Sequence, residues 1–102
     1  EVRQNSANIP QEYQLYDNYP NPFNNGTEIE FQLLNPGIVN LNVYNATGQL
    51  VKALLNEPRT SGVHKVIWDG TDKNGRSLSS GVYLYSINVN DYMAEKKAVL
   101  IK

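Results

Sequence analysis

The run Glu28-Ile29-Glu30-Phe31-Gln32-Leu33, continued through Asn35-Pro36-Gly37 into Val39-Asn40-Leu41-Asn42-Val43-Tyr44, decides the fold. Ile29, Phe31 and Leu33 alternate with Glu28, Glu30 and Gln32, and Val39, Leu41 and Val43 alternate with Asn40, Asn42 and Tyr44. A period of two puts one set of side chains on each face of an extended chain, which is the signature of a half-buried strand. Asn35-Pro36-Gly37 between the runs has the turn chemistry of a hairpin.

The same alternation extends outward. His64, Val66 and Trp68 share one face of a run that follows Ser61-Gly62, with Val63, Lys65 and Ile67 on the other. Val82 to Val89 is nearly all strand formers, and Ala94 to Ile101 makes a last strand after a turn near Asn90-Asp91. Leu50 to Leu55 has a mixed period compatible with a strand or a helical turn. Turn formers are dense at Asn45-Ala46-Thr47-Gly48 and from Asp69 to Gly75. Short strands between regular turns predict an all-β, Ig-like antiparallel β-sandwich of about seven strands. Its expected core includes Ile29, Phe31, Leu41, Val43, Val66, Trp68 and Leu84. Glu1 to Glu12, rich in Asn, Gln and Ser, reads as a linker from an upstream domain, and residues 13–102 as the folded domain.

Composition narrows the function. A chain of 102 residues, 40% hydrophobic, suits one domain. A formal net charge of -1 gives no positive field for nucleic acid. No apolar run is long enough to insert in a membrane as a helix, and the first ten residues lack the regions of a signal peptide, so the segment reads as a processed fragment addressed by sequence elsewhere. With no cysteine there is no disulfide, thiolate nucleophile or cysteine metal ligand.

Lone chemical candidates have structural readings beside the functional ones. His64 is the single histidine, which removes two-histidine metal sites and histidine-pair catalysis. Asp69, Asp72 and Asn74 offer oxygen ligands, but their spacing departs from a calcium loop, and turn chemistry explains them better. Trp68 reads as a core anchor, with a sugar-stacking platform as the functional alternative. Asn25-Gly26-Thr27 and Asn45-Ala46-Thr47 match the glycosylation sequon and also make ordinary turns. No nucleophile is paired with a base and no glycine-rich phosphate loop follows a strand, so neither an enzyme nor a cofactor site is expected.

Longer phrases carry a family resemblance. Tyr19-Pro20-Asn21-Pro22-Phe23-Asn24, then Thr27 to Phe31, Val43-Tyr44-Asn45 and Gly48, resemble the type A sorting domain of the type IX secretion system. Gly62, His64, Trp68-Asp69-Gly70, Asp72, Gly75, Ser80-Gly81-Val82-Tyr83 and Lys96-Lys97-Ala98-Val99-Leu100-Ile101-Lys102 follow in that family's order. The match spans Tyr13 to Lys102, with Ala98 where many relatives carry Met. The Trp-Asp-Gly and Ser-Gly-Val-Tyr phrases are also similar to the Ig-like domain of the flagellar hook-capping protein; the opening loop and the lysine-rich tail favour the sorting domain.

The resemblance implies a non-catalytic C-terminal signal that carries an attached cargo from the periplasm across the outer membrane to the medium or cell surface. Its implied partners are the outer-membrane translocon, a sortase-like protease and the upstream cargo domain. Lys96, Lys97, Val99, Leu100, Ile101 and Lys102 are the expected recognition residues. Tyr19, Pro20, Asn21, Pro22, Phe23, Gly48, Trp68, Asp69, Gly70, Gly81 and Tyr83 are the expected structural motif. A hook-cap assembly domain and a carbohydrate-binding accessory module of a glycoside hydrolase are the alternatives.

Overall fold

The computed structural model describes residues 12–102. The linker expected over Glu1 to Glu12 lies outside the described residues except for Glu12. Seven strands follow in order: β1 (Gln14–Leu15), β2 (Thr27–Leu33), β3 (Gly37–Tyr44), β4 (Leu50–Arg59), β5 (Gly62–Trp68), β6 (Gly81–Val89) and β7 (Tyr92–Leu100). They form two sheets with strand orders β1-β2-β5 and β4-β3-β6-β7, and every paired strand is antiparallel. No helix occurs among the described residues. The architecture is an Ig-like β-sandwich.

The two alternating runs become β2 and β3, but they are not a hairpin. β2 pairs with β1 and β5, whereas β3 pairs with β4 and β6. Residues 34–36 therefore carry the chain from one sheet to the other. The apolar rows of both strands still reach the same core, each from its own sheet. A row that must face a common core is satisfied equally by hairpin and crossover, so alternation could not separate them.

Ile29, Phe31, Leu41, Val43 and Trp68 are fully buried as expected. Val66 is half-buried, because β5 is an edge strand with a neighbour on one side only. Leu84 faces outward, and Tyr83, Tyr85, Ile87 and Val89 fill the core in its place. The tyrosines set this phase: each can bury its ring only where the hydroxyl finds an acceptor. The Tyr83 hydroxyl donates to the Ser79 carbonyl at 2.7 Å, and that of Tyr85 to the Tyr16 carbonyl at 2.7 Å.

The mixed period of 50–55 comes from a strand with two irregularities. Leu41 pairs with Leu55 and Asn42 with Ala53, which leaves Leu54 as an extra residue; Val43 pairs with Lys52 and Tyr44 with Leu50, which leaves Val51. Both extra residues pack against the core. Each bulge turns an apolar side chain inward that strict alternation would have turned out.

Candidate interaction site at the terminal strand

The opening loop and the end of β7 form one structure. Tyr19-Pro20 and Asn21-Pro22 are both cis. Proline has no N–H, so the backbone around Asn21 is short of donors for pairing with a neighbour. The Asn21 side chain supplies what the prolines lack. Its Oδ1 accepts the Val99 N–H at 2.9 Å, and its Nδ2 donates to the Lys97 carbonyl at 3.3 Å. One step on, the Phe23 N–H donates to the Val99 carbonyl at 2.9 Å, and the Ile101 N–H to the Phe23 carbonyl at 2.8 Å. Phe23 thus makes a parallel bridge with Leu100 along the edge that β6 leaves free.

The Phe23 ring, nearly buried, then enters an aromatic cluster. Its centroid is 5.3 Å from that of Trp68, which in turn meets Tyr83 edge-on at 5.5 Å. Gly70 packs beside Phe23 and Leu100, where an added Cβ would make ordinary contact at 3.5 and 3.6 Å, and it is its φ of 79° that favours glycine. The Trp68 indole N–H donates to the Thr71 carbonyl at 3.0 Å. The Pro-Asn-Pro-Phe, Trp-Asp-Gly and Ser-Gly-Val-Tyr phrases therefore meet at one end of the sandwich. With no exposed surface, Trp68 is a core anchor and offers no sugar platform.

The six residues expected to be recognised do not form one surface. Leu100 is buried. Lys96 lies on the inward row at the sandwich edge, where its ammonium is 3.2 Å from Asp17. Lys97 and Val99 lie on the outward row, opposite Leu84 and Val82. Ile101 is exposed just past the strand. Lys102 folds back, its N–H donating to Ser80 Oγ at 2.9 Å and its ammonium to Ser77 Oγ. The exposed face at this end therefore comprises Lys97, Val99, Ile101 and Lys102, bordered by the opening loop. The bracket made by Asn21 was absent from the sequence reading; an asparagine between two prolines is the signal for it.

The polar turns at the other positions have internal partners. Asp72 Oδ1 accepts the N–H groups of Asn74 and Arg76 at 2.9 and 3.0 Å. Asn45 Oδ1 makes the same two bonds, to the N–H groups of Thr47 and Gln49 at 3.1 and 2.9 Å. Each turn has glycine at its fourth residue, Gly48 with φ 89° and Gly75 with φ 79°, values that side-chain-bearing residues avoid. The Arg76 N–H, with that of Asn74, holds the Asp72 carboxyl below the usual aspartate range. The Thr71 hydroxyl does the same for Asp69, aided by the Thr71 N–H and the ammonium of Lys52. Asp69 and Asp72 thus anchor two separate turns, while Asn74 contributes a backbone donor. Among the described residues no three His, Cys, Asp or Glu side chains group as metal ligands. His64 Nε2 bonds the Thr60 carbonyl at 2.8 Å and its ring stacks on Phe31. Burial pushes the Tyr85 hydroxyl up to about 12.

Comparisons with known proteins agree with this architecture. The FlgD Ig-like domain profile matches residues 19–92. No curated protein matches the sequence. Among solved structures, dimeric latent PorU from Porphyromonas gingivalis superposes with a TM-score of 0.69 at 23% identity, over 85% of this chain and 9% of that one. PorZ from the same organism, described as an essential bacterial surface component of the type-IX secretion system, gives 0.60 at 20% identity, over 86% and 11%. FlgD from Xanthomonas campestris, described in relation to hook capping in flagellar assembly, gives 0.59 at 24% identity, over 89% and 63%. Likeness at these identities establishes the fold alone. The chain spans about a tenth of the two Porphyromonas proteins and less than two thirds of the Xanthomonas one.

Proposed function

The chain belongs to the FlgD Ig-like domain family, and from that premise we propose that it is a non-catalytic C-terminal sorting domain. In this reading it directs an attached cargo across the outer membrane through the type IX secretion system, by way of the periplasm, to the medium or cell surface. The observation that supports it most is the contact between the opening loop and β7. These two segments carry the resemblance to sorting domains, and they are the ones that Asn21 and Phe23 join. A partner meets them as a single folded surface, with Lys97 and Lys102 beside exposed Ile101. The expected partners are the translocon, a sortase-like protease acting upstream of Tyr13, and the cargo.

A second reading, a structural assembly domain of the hook-cap type, is favoured by the profile match over residues 19–92, which stops short of most of β7. A periplasmic reporter fused ahead of this chain separates the two in a bacterium with type IX machinery. Sorting predicts that the reporter leaves the cell, and that replacing Lys97 and Lys102 by alanine traps it in the periplasm without lowering the melting temperature. Normal export by a fusion lacking residues 94–102 defeats the sorting reading. Retention of the intact fusion favours the assembly role.

A further inference from the structure

The two outer faces of the sandwich differ in chemistry. That of the three-stranded sheet carries charges, with Glu28 and Glu30 of β2 opposite Ile67 and Lys65 of β5. The middle of the four-stranded sheet carries amides. Asn40 of β3 stands between Asn56 of β4 and Asn88 of β6, and in the next outward row Asn42 stands opposite Ser86. Asparagine is depleted in strands because its side chain competes for backbone groups and packs poorly. Its concentration here runs against local propensity, which is where a binding role is to be sought.

The amides border a shallow concavity of about 610 Å3 shared by Asn40, Asn42, Tyr44, Ser86, Asn88 and Glu95, with the exposed thioether of Met93 beside them. Tyr44 is two residues beyond Asn42 on the same face, and its hydroxyl is 3.5 Å from Asn42 Nδ2. The half-buried Tyr44 ring therefore extends along the strand toward Asn42 on the outward face. The surface thus combines a half-buried tyrosine, the apolar side chain of Met93, side chains that both donate and accept, and a single charge at its margin, Glu95.

We propose that this face binds a neutral oligosaccharide chain, one pyranose stacking on Tyr44 and successive hydroxyls pairing with Asn42, Asn40 and Asn88. A sugar ring has an apolar C–H face for the tyrosine and hydroxyls that, like amides, act as donors and acceptors. An anionic polymer meets Glu95 and no cation in the lining. A peptide strand needs a free sheet edge, but β4 is interrupted by Pro58 and two bulges, and the end of β7 is covered by the opening loop. The inference is independent of the export reading.

Two-dimensional amide NMR of the 102-residue chain tests it, because side-chain amides of asparagine are observed directly. The probes are neutral hexasaccharides of β-1,4-glucose, α-1,4-glucose, β-1,4-xylose and β-1,4-mannose, with a sulfated hexasaccharide as anionic control. At least one neutral probe is expected to shift the Asn40, Asn42 and Asn88 side-chain signals with a Kd of about 1 mM or tighter. Asn42→Ala and Asn88→Ala are each expected to weaken it about tenfold, Tyr44→Ala to abolish it, and Tyr44→Phe to retain it. These side chains lie outside the core, and the unchanged shifts of core residues verify folding in each variant. No response to any neutral probe at about 10 mM, shifts confined to another surface, an equal response to the sulfated probe, or binding unaffected by Tyr44→Ala overturns the proposal.

Discussion

Asn45 and Asp72 occupy equivalent places in two turns of one geometry, and only one of them titrates. Each accepts two backbone N–H groups through Oδ1. Because the Asp72 carboxyl is held below its ordinary value of 3.8, ionisation is favoured more in the folded chain than in the unfolded one. Its contribution is fully present above that ordinary value and is lost as pH falls through the lower folded value. Asp69 behaves alike. On acidification below 3.8, the amides of Asn74 and Arg76 are therefore expected to lose hydrogen-exchange protection before those of Thr47 and Gln49. Asp72→Asn should remove the difference. Equal loss in both turns would show that the carboxylate does not hold the loop.

Strands β2 and β3 were readable because each alternates charged or amide residues with large apolar ones, so only one face can be buried. β6 was readable as a strand but not in phase, since Val82-Tyr83-Leu84-Tyr85 offers a hydrophobic side chain at every position. What settles the phase is a pair of carbonyls, of Ser79 and Tyr16, the second of them far away in sequence. β4 was obscured by bulges at Val51 and Leu54, whose register depends on the partner strand. At the candidate site the sequence presents Lys96 to Lys102 as one stretch, whereas strand geometry divides them between two faces. The phase of β6 can be checked by substitution. Leu84→Thr should cost about 1 kcal/mol or less, and Tyr85→Ala about 3–5 kcal/mol, in denaturant unfolding. A reversed order would place Leu84 in the core after all.

A sandwich of two open sheets has four edges, and in this molecule they are protected unequally. β1 is only two residues long, β4 carries Pro58 and bulges, and the end of β7 is covered by Asn21 to Phe23. β5 is seven residues long, contains no proline, and exposes Val63 and Ile67. Between them stands Lys65, 3.9 Å from Glu28 and mostly in solvent. Such an ion pair adds little stability, so the role of this lysine is to discourage pairing of β5 with another strand. Lys65→Val is expected to leave the melting temperature nearly unchanged while shifting the chain toward larger species than the parent in sedimentation. A variant whose size distribution matches that of the parent at equal concentration would show that β5 needs no guard.

The bracket between the opening loop and β7 also has a mechanical consequence. Phe23 and Leu100 run parallel, so tension applied between the two ends of the domain draws these segments past one another lengthwise. Four hydrogen bonds, two from the Phe23 backbone and two from the Asn21 side chain, are then loaded together in shear instead of being peeled one at a time. Forced unfolding reports the barrier to rupture and not the equilibrium stability. In single-molecule stretching, Asn21→Ala should therefore lower the rupture force markedly, while moving the thermal midpoint by only about 4–8 °C for each kcal/mol lost. A domain built this way resists being unravelled by a pull on its two ends, and yields more readily where the loop is first lifted from the strand.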